Sequence, residues 1–454
     1  MAASKPPPPP PAYFLSLSLE NVRSFGAKQT LSFARPDGRP AQWTVILGDN
    51  GVGKTTVLRA LAAMVVEPHP LADEKQKNDV SLWTAALYRL TNPFRLIWSP
   101  YRNEANSVNL AVMAAEGFVL STPKSDLEVL IHNHRVNKTA QVMQSSGQSS
   151  LGLICYGYGA GRTVGNSTLS ETPEGVDTCA SLFDDRADLL NPEEWFLFAD
   201  YRMAKDKDPL TTQNFHLLKS ALLKIMEEGE VTDMEVAPVR PGGSPRQGVT
   251  FKTPYGWVRL KDMSLGYQTL VVWLTDLADK LFVRYPNSKN PLAEPAVVLI
   301  DEIDLHLHPS WQRKIISSLS TIFPNTQFVA TAHSPLVVQA AGDAGANVVL
   351  LRREGDQTVV VKDLPDVRRW RIDQILNSEL FDDVPAHSRE TEKQLRQRDE
   401  LLAKSRLTAK EKKELGELNQ LMYTQPVGES TGERRAADVL RELARKLGKQ
   451  ELLD

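Results

Sequence analysis

The fold of this chain is decided by one stretch of its sequence, Gly48-Asp49-Asn50-Gly51-Val52-Gly53-Lys54-Thr55. The stretch fits the P-loop pattern, in which a glycine, four further residues and a second glycine are followed by lysine and a hydroxyl residue. The apolar run 43–47 precedes it and predicts a strand, and Leu58, Leu61 and Ala62 follow it at helical spacing. A strand, a glycine-rich loop and a helix in this order predict a phosphate-binding site.

The residue types of this loop match the chemistry of a nucleoside triphosphate. Glycines allow backbone N–H groups to turn toward phosphate oxygens, and the start of a helix adds a partial positive charge. Lys54 is expected to reach the β- and γ-phosphates, and Thr55 is expected to bind magnesium. The sequence therefore predicts ATP and Mg²⁺ as ligands. The predicted nucleotide-binding residues of the loop are Asn50, Gly51, Gly53, Lys54, Thr55 and Thr56.

Two neighbouring carboxylates follow a second apolar run. Residues 296–300 read Ala-Val-Val-Leu-Ile, which is typical of a strand buried on both faces, and Asp301 and Glu302 come directly after it. Paired acids at the end of a strand often serve solubility alone, but an upstream P-loop favours a catalytic interpretation. Asp301 is then predicted to hold Mg²⁺ through water, and Glu302 to activate the attacking water as a general base.

Two further segments fit the same chemistry. The strand-like run 327–332 leads to His333, which is predicted to contact the γ-phosphate as a catalytic residue beside Glu302 and Lys54. Ser264 and Gly266 stand at the start of a predicted helix, where an anion would be favoured. Alone, each segment is a weak signal, but an upstream P-loop favours its interpretation as part of a phosphate-binding site.

These pieces, in this order, resemble the ATP-binding-cassette (ABC) ATPases. The resemblance covers roughly residues 14–64 and 258–351. It is strongest to the soluble AAA-type branch that includes RecF-like, SMC-like and double-strand-break repair ATPases. The resemblance implies that Arg23 lies near the adenine. It also implies that Asp301–Pro309 forms the Walker B segment and the loop after it, which would bring His308 toward a dimer seam.

The signature motif of ABC ATPases is matched in part. The family pattern is Leu-Ser-Gly-Gly-Gln, and this chain keeps Ser264 and Gly266 but places Gln268 one position late. The resemblance implies a head-to-tail homodimer or a higher oligomer. In such an assembly, Ser264 and Gly266 of one protomer would close over the γ-phosphate held by Lys54 of the other.

Composition along the chain predicts five parts. The predicted fold class is α/β, a P-loop NTPase of the ABC-ATPase type with an antiparallel β subdomain, an inserted helical lid and a helical C-terminal extension. Strand-like pieces at 108–113 and 118–120 indicate the β subdomain, and residues 190–228 read as helical. The five parts are a disordered proline-rich tail at 1–12, the N-terminal half of the ATPase core at 13–163, the lid at 164–255, the C-terminal half of the core at 256–365 and the extension at 366–454.

The predicted extension carries its own helix signals. The run Trp370–Leu376 has helical spacing, residues 388–423 are mostly charged, and Thr408 with Glu411 forms a capping-box pattern. Together with the phrase Tyr156–Arg162, this ending resembles the ATPases of bacterial Septu anti-phage systems. That family pairs the ATPase with an HNH nuclease. The resemblance therefore implies a cytoplasmic complex whose nuclease is a separate chain.

Length, charge and cysteine count exclude several classes of protein. The 454 residues suffice for two or three folded units, and a net charge of −3 argues against a DNA-coating or membrane-surface protein. Cys155 and Cys179 are too few for a disulfide framework or a four-thiolate zinc site. No apolar stretch approaches the roughly 20 residues that span a bilayer. We therefore expect a cytoplasmic protein with no membrane partner.

Two histidine patterns suggest other chemistry and are set aside. Residues 132–134 spell His-Asn-His, but an HNH nuclease needs a ββα-metal fold with distant ligands. His306, His308 and His333 suggest zinc, yet each already has an expected place around the phosphate or the dimer seam, and no fourth ligand is evident. Neither pattern is interpreted as a metal site.

Three functions remain open from the sequence. The first is an ATPase that regulates a partner nuclease in anti-phage defence. The second is a RecF-like DNA repair or recombination ATPase that acts on DNA without a nuclease partner. The third is an autonomous nuclease, which we do not expect because little chain follows the ATPase motifs. DNA therefore stays a possible ligand.

Overall fold

The computed structural model describes residues 12–20, 22–63, 82–89, 94–98, 101–102, 108–109, 112–114, 154–162, 178–184, 187, 189–239, 246–362, 364–382, 388–404 and 407–423. Every structural statement below concerns these residues. The chain divides into two compact units, residues 1–382 and residues 383–454.

Strands and helices alternate through most of the first unit. The strands are β1 (Ala12–Glu20), β2 (Gln29–Ser32), β3 (Trp43–Leu47), β4 (Leu82–Arg89), β5 (Phe94–Trp98), β6 (Tyr101–Arg102), β7 (Val108–Asn109), β8 (Val112–Ala114), β9 (Cys155–Tyr158), β10 (Asp233–Val239), β11 (Arg246–Thr253), β12 (Gly256–Arg259), β13 (Ala296–Ile300), β14 (Thr326–Thr331), β15 (Asn347–Glu354) and β16 (Gln357–Val360). The α-helices are α1 (Lys54–Ala63), α2 (Ala180–Phe183), α3 (Pro192–Asp206), α4 (Pro209–Met226), α5 (Leu265–Arg284), α6 (Pro309–Ile322), α7 (Pro335–Asp343), α8 (Ile372–Leu376), α9 (Arg389–Leu402) and α10 (Ala409–Tyr423).

A six-stranded sheet forms the centre of the first unit, in the order β16-β15-β3-β14-β13-β9. All neighbouring pairs are parallel except β15 and β16. Every residue of β3, β9, β13 and β14 is buried. Strands of a parallel sheet that are covered on both faces read as continuous apolar runs, which is why the sequence pattern located β3 and β13.

The carboxyl ends of four neighbouring strands meet at one edge of this sheet. The P-loop follows β3, Asp301 follows β13, His333 comes shortly after β14, and Arg162 comes shortly after β9. In open α/β sheets, ligands bind outside this edge. The α/β fold and the strand–loop–helix order predicted from the P-loop are confirmed, and the topology gathers the predicted catalytic residues.

Alternate residues of the central strands pack into two apolar cores. Val45 and Val298 belong to the core that also contains α3, α4, α5 and α6. Ile46 and Val297 belong to the core that contains α1 and β1. Because side chains of a strand point alternately to opposite faces, this division fixes the register of the sheet.

The β subdomain is an antiparallel sheet in the order β2-β1-β4-β5-β8. Its strand β8, and strand β7 of the separate pair β6-β7, fall in the strand-like segment 108–113 and one residue beyond it. The strand-like piece 118–120 lies outside the described residues. In β1, Phe14, Leu17 and Leu19 are fully buried. The sheet thus packs one face on the core that also holds α1.

The insertion at 164–255 differs from the helical lid that the sequence predicts. The expected helices are present as α3 and α4, each with proline in its first turn and a capping side chain, Asn191 or Asp208. The insertion also contains β10 and β11, which pair with β12 in an antiparallel sheet. Glycine and proline in this stretch obscure its strand pattern, and the sequence predicted it as part of the helical lid. Its role as a lid stays a prediction.

The second unit contains a helical hairpin. Ser388 caps α9, and Thr408 and Glu411 exchange the hydrogen bonds of the predicted capping box before α10. Leu401 and Leu418 are buried between these helices. Among the helices of the described residues, none combines the length and apolar character needed to cross a membrane.

Candidate active site

One cavity of about 340 Å³ collects ten of the predicted site residues. It lies at the carboxyl edge of the central sheet, and we call it the P-loop cavity. It is lined by Arg23, Ser24, Asn50, Gly51, Gly53, Lys54, Thr55, Thr56, Asp301, Glu302 and His333. Of these, only Ser24 was not predicted.

The P-loop needs glycine at positions where no side chain fits. Gly48 has a φ of +138°, and a Cβ there would lie 2.2 Å from the carbonyl oxygen of Leu351. Gly53 has a φ of +92°, and a Cβ there would lie 2.8 Å from the ring of Phe25. L-residues rarely adopt such angles. The loop can therefore turn tightly into α1, whose N-terminus faces this edge.

Lys54 is buried beneath the loop that precedes it. Its Nζ donates to the carbonyl oxygens of Gly48 at 2.7 Å and Asp49 at 2.8 Å. Burial lowers the pKa of Lys54, and the nearby carboxylates, Asp301 foremost, act in the opposite direction. The amine is thus fixed beside the loop by two hydrogen bonds.

Thr55 and Asp301 supply a hard oxygen pair. The hydroxyl of Thr55 donates to Oδ2 of Asp301 at 2.6 Å, which joins the P-loop to the end of β13. Among the described residues, no group of three His, Cys, Asp or Glu side chains could hold a metal. Magnesium is usually held by one or two protein oxygens together with substrate phosphates. The donor set therefore fits the predicted Mg²⁺ site.

Glu302 stands beside Asp301 in a left-handed backbone conformation, with a φ of +49°. Its N–H donates to the hydroxyl of Thr331 at 2.7 Å, and that hydroxyl donates to Oδ1 of Asp301 at 2.6 Å. The backbone N–H of His333 donates to Oδ2 of Asp304 at 2.9 Å. The ends of β13 and β14 are thus joined by side-chain bonds as well as by the sheet ladder.

Arg162 lies behind the two carboxylates. Its Nη2 donates to the carbonyl oxygens of Asp301 at 2.9 Å and Glu302 at 2.6 Å. Burial lowers the pKa of Arg162 to about 10, while Asp301, Glu302 and Asp304 act against that shift. Sequence reasoning missed Arg162 and Thr331 as site residues. The glycine-rich phrase that ends β9 was the available signal for Arg162.

Arg23 borders the same cavity from the N-terminal loop. Its φ is +52°, and it sits in a tight turn closed by two backbone hydrogen bonds between Val22 and Phe25. Thr358 of β16 holds this turn, since its N–H donates to the carbonyl oxygen of Ser24 at 2.7 Å. The hydroxyl of Thr358 donates to the carbonyl oxygen of Val52 at 3.0 Å. One residue therefore fastens both loops that border the cavity.

Ser264 and Gly266 are not brought to the P-loop cavity. Ser264 lines a second cavity of about 470 Å³, which we call the signature cavity. Its lining residues are Gly229, Ser264, Tyr267, His306, Leu307, His308, Ser310 and Trp311. Gly266 packs so closely on the loop after β13 that a Cβ would lie 2.3 Å from the carbonyl oxygen of His306.

The three histidines that suggested zinc do not all line the same cavity. His306 and His308 line it, whereas His333 lines the P-loop cavity. His308 also caps α6, because its Nδ1 accepts from the N–H of Ser310 at 3.3 Å. Tyr267 is held against Trp311 with ring centroids 4.3 Å apart. The three histidines are therefore divided between two cavities.

Comparison with known proteins finds ATPases. Residues 180–339 match the family described as AAA domain, putative AbiEii toxin, Type IV TA system, and residues 16–88 match an AAA domain family. Septu protein PtuA of Bacillus mycoides (strain KBAB4) is 24% identical over 352 residues, which cover 77% of this chain and 42% of PtuA. The Retron Ec83 probable ATPase of Escherichia coli is 52% identical over 75 residues, which cover 16% of this chain and 14% of that protein.

Among solved structures, the SmcHead bound to the C-winged helix domain of ScpA aligns with a TM-score of 0.44 and 14% sequence identity. The alignment covers 77% of this chain and 97% of that chain. The chain spans less than half the length of the two curated relatives named above.

Proposed function

We propose that this chain, which resembles the Septu protein PtuA, is an ABC-type ATPase that hydrolyses ATP in the P-loop cavity. We further propose that its nucleotide state controls a partner nuclease in bacterial anti-phage defence. The observation that carries the proposal is the gathering of Lys54, Thr55, Asp301, Glu302 and His333 in one cavity. A phosphate-binding loop, a magnesium pair and a general base are what phosphoryl transfer to water requires.

Each lining residue has a task in this reaction. The backbone of the P-loop and Lys54 hold the phosphates, with Asn50, Gly51, Gly53 and Thr56 around them, and Arg23 borders the adenine. Thr55 and Asp301 hold Mg²⁺, which offsets phosphate charge when bound. Glu302 orients the attacking water and accepts its proton, and His333 contacts the γ-phosphate. The products are ADP and phosphate.

The proposed active site is shared between two protomers. Ser264 begins α5 without a side-chain capping bond, and it lines a cavity other than the one that holds Lys54. Ser264 and Gly266 would therefore meet the phosphate of a second copy of the chain. ATP binding closes this dimer and hydrolysis opens it, which turns chemistry into a conformational signal.

The proposed partner is a nuclease carried by a separate chain. The support is the likeness to Septu protein PtuA and to retron ATPases, together with a second compact unit at residues 383–454 that lies outside both AAA matches. The second unit is the proposed docking element, an HNH nuclease is the proposed partner, and the cytoplasm is the proposed location.

Protection of cells from phage tests this proposal directly. Cells that carry this gene together with its neighbouring genes are challenged with phage. The protein is then purified without a tag from the same cells, and the chains that accompany it are identified. We expect protection that Lys54→Ala abolishes, together with a nuclease chain that purifies with this one. ATPase activity stimulated by DNA ends, without protection and without a nuclease chain, would contradict the proposal and support the repair function.

A further inference from the structure

The backbone at the end of β13 is held from both sides by side chains of the neighbouring strands. On one side, the hydroxyl of Thr331 in β14 accepts from the N–H of Glu302 at 2.7 Å. On the other side, Arg162 after β9 donates to the carbonyl oxygen of Glu302 at 2.6 Å. Both hydrogen-bonding groups of Glu302's backbone are therefore fixed by side chains.

This double hold acts on a strained backbone, beside a main-chain bond from the N–H of Leu305 to the carbonyl oxygen of Glu302 at 3.1 Å. Glu302 has a φ of +49°, which is unfavourable for a residue with a Cβ. Such conformations persist only where the surrounding structure fixes them. Because φ and ψ set the direction of the side chain, release of the backbone would turn the carboxylate of Glu302 away from the P-loop cavity.

Two other buried threonines of the same sheet carry hydroxyls without a partner among the described residues. Thr326 at the start of β14 and Thr44 in β3 are fully buried, and their hydroxyls have no hydrogen-bond partner within the described part of the chain. Thr331 is equally buried, but its hydroxyl serves two partners, the N–H of Glu302 and Oδ1 of Asp301. The three residues thus offer a matched comparison.

Arg162 holds the same backbone at the cost of burying a cation. Only 6% of the residue is exposed, and its Nε has no hydrogen-bond partner among the described residues. Burying a charge is unfavourable unless it is paired and hydrogen-bonded. Its hydrogen bonds go to the main-chain oxygens of Asp301 and Glu302, so it grips the backbone.

We propose that Thr331 and Arg162 are positioning residues for hydrolysis, which clamp the backbone of Glu302 so that its carboxylate faces the P-loop cavity. The inference rests on the proposed ATPase function. It adds that catalysis depends on a clamp whose members belong to neither the P-loop nor the acidic pair. Both hold the backbone of Glu302, and Thr331 also donates to Oδ1 of Asp301, so their loss lowers turnover more than it lowers nucleotide affinity.

Substitutions at Thr331 separate this role from a structural one. Thr331→Val keeps the shape and removes the hydroxyl, Thr331→Ser keeps the hydroxyl, and Thr326→Val removes an unpartnered hydroxyl from the same strand. We expect Thr331→Val to lower kcat about tenfold or more, because small misplacement of a catalytic group is costly. The KM for ATP and the affinity for a non-hydrolysable ATP analogue should stay within about threefold.

The conservative variants complete the test. Thr331→Ser should restore kcat to within about threefold of wild type, and Thr326→Val should leave it unchanged. Arg162→Lys, which keeps the charge but loses the planar guanidinium whose Nη2 donates to both carbonyls, should lower kcat with affinity preserved. If Thr331→Val fails to fold by thermal melting, Arg162→Lys carries the test, with Thr326→Val as its control.

Three results would overturn the inference. These are a Thr331→Val enzyme with wild-type kcat, a Thr326→Val enzyme as slow as Thr331→Val, and a loss confined to affinity in Arg162→Lys. Failure of the proposed function looks different. A wild-type chain without turnover, or a Glu302→Gln variant with full turnover, would remove the reaction that the clamp serves.

Discussion

The P-loop cavity and the signature cavity belong to the first compact unit, yet their polar groups are bonded differently. In the P-loop cavity, Lys54 donates to the carbonyl oxygen of Gly48, and the hydroxyl of Thr55 donates to the carboxylate of Asp301. In the signature cavity, Ser264 makes no side-chain capping bond, and the neighbouring Leu265 is 55% exposed. The first cavity is organised by hydrogen bonds within the chain, whereas the second presents the hydroxyl of Ser264 without a capping bond to α5.

The largest expected effect on turnover comes from a change confined to the P-loop cavity. Glu302→Gln keeps the shape and hydrogen bonding of the side chain but removes the base, so turnover should fall by about a thousandfold, or ~4 kcal/mol. ATP affinity should be retained, and a closed dimer should accumulate. Steady-state ATPase assays and light scattering with ATP measure both. Wild-type turnover in this variant would contradict the assignment of Glu302.

A somewhat smaller effect tests the signature cavity. Ser264→Arg places a bulky cation at the start of α5 and should lower turnover by about a hundredfold, because it blocks the partner's phosphate and leaves the P-loop intact. Nucleotide binding by the isolated chain, measured by fluorescence titration, should be unchanged. Full activity that does not depend on protein concentration would show that the signature cavity takes no part.

Mixing two inactive variants sharpens the comparison. In a dimer of one Lys54→Ala chain and one Ser264→Arg chain, one site carries both lesions and the other carries neither. Random pairing makes half of the dimers mixed, so about a quarter of wild-type activity should return if the sites act independently. ATPase assays of the mixture and of each variant alone provide the measurement. ATPase activity in the Ser264→Arg variant alone, equal to that of the mixture, would argue against a shared site.

The smallest expected effect concerns the second compact unit. Deleting residues 383–454 should change ATP affinity by less than about twofold, since both cavities are lined by residues of the first unit. Recovery of the nuclease partner and protection from phage should be lost. Calorimetric titration of a soluble truncated chain checks the first expectation. Loss of ATP binding there would show that this unit supports the core.

The sequence could predict the P-loop cavity because its parts follow buried strands. Apolar runs located β3 and β13, and the residues directly after them carry the chemistry. His333 was found in the same way, two residues after β14. In the structure, β3, β14 and β13 are neighbours in the sheet, so their carboxyl ends lie together. The α/β fold and most of the lining residues could therefore be predicted from the apolar runs and the motifs that follow them.

What the sequence could not predict depends on contacts between distant segments. Arg162 donates to the main-chain carbonyls of Asp301 and Glu302. Because every residue has a main-chain carbonyl, the side chains of the acidic pair give no sign of this contact. Thr331 looks like any buried β-branched residue of a strand, and only the register of β14 against β13 places its hydroxyl beside Glu302. The sheet β10-β11-β12 was missed because glycine and proline obscured its alternation.

The two bonds from Thr358 also bear on the order in which the protein is made. β3, which leads into the P-loop, pairs with β14 and β15, and Thr358 follows in β16. These elements leave the ribosome about 280 to 310 residues after β3, a high contact order for a binding loop. A nascent chain that ends before residue 326 has a complete P-loop sequence but neither flanking strand. Competence for nucleotide is therefore reached late in synthesis, after most of the first unit has emerged.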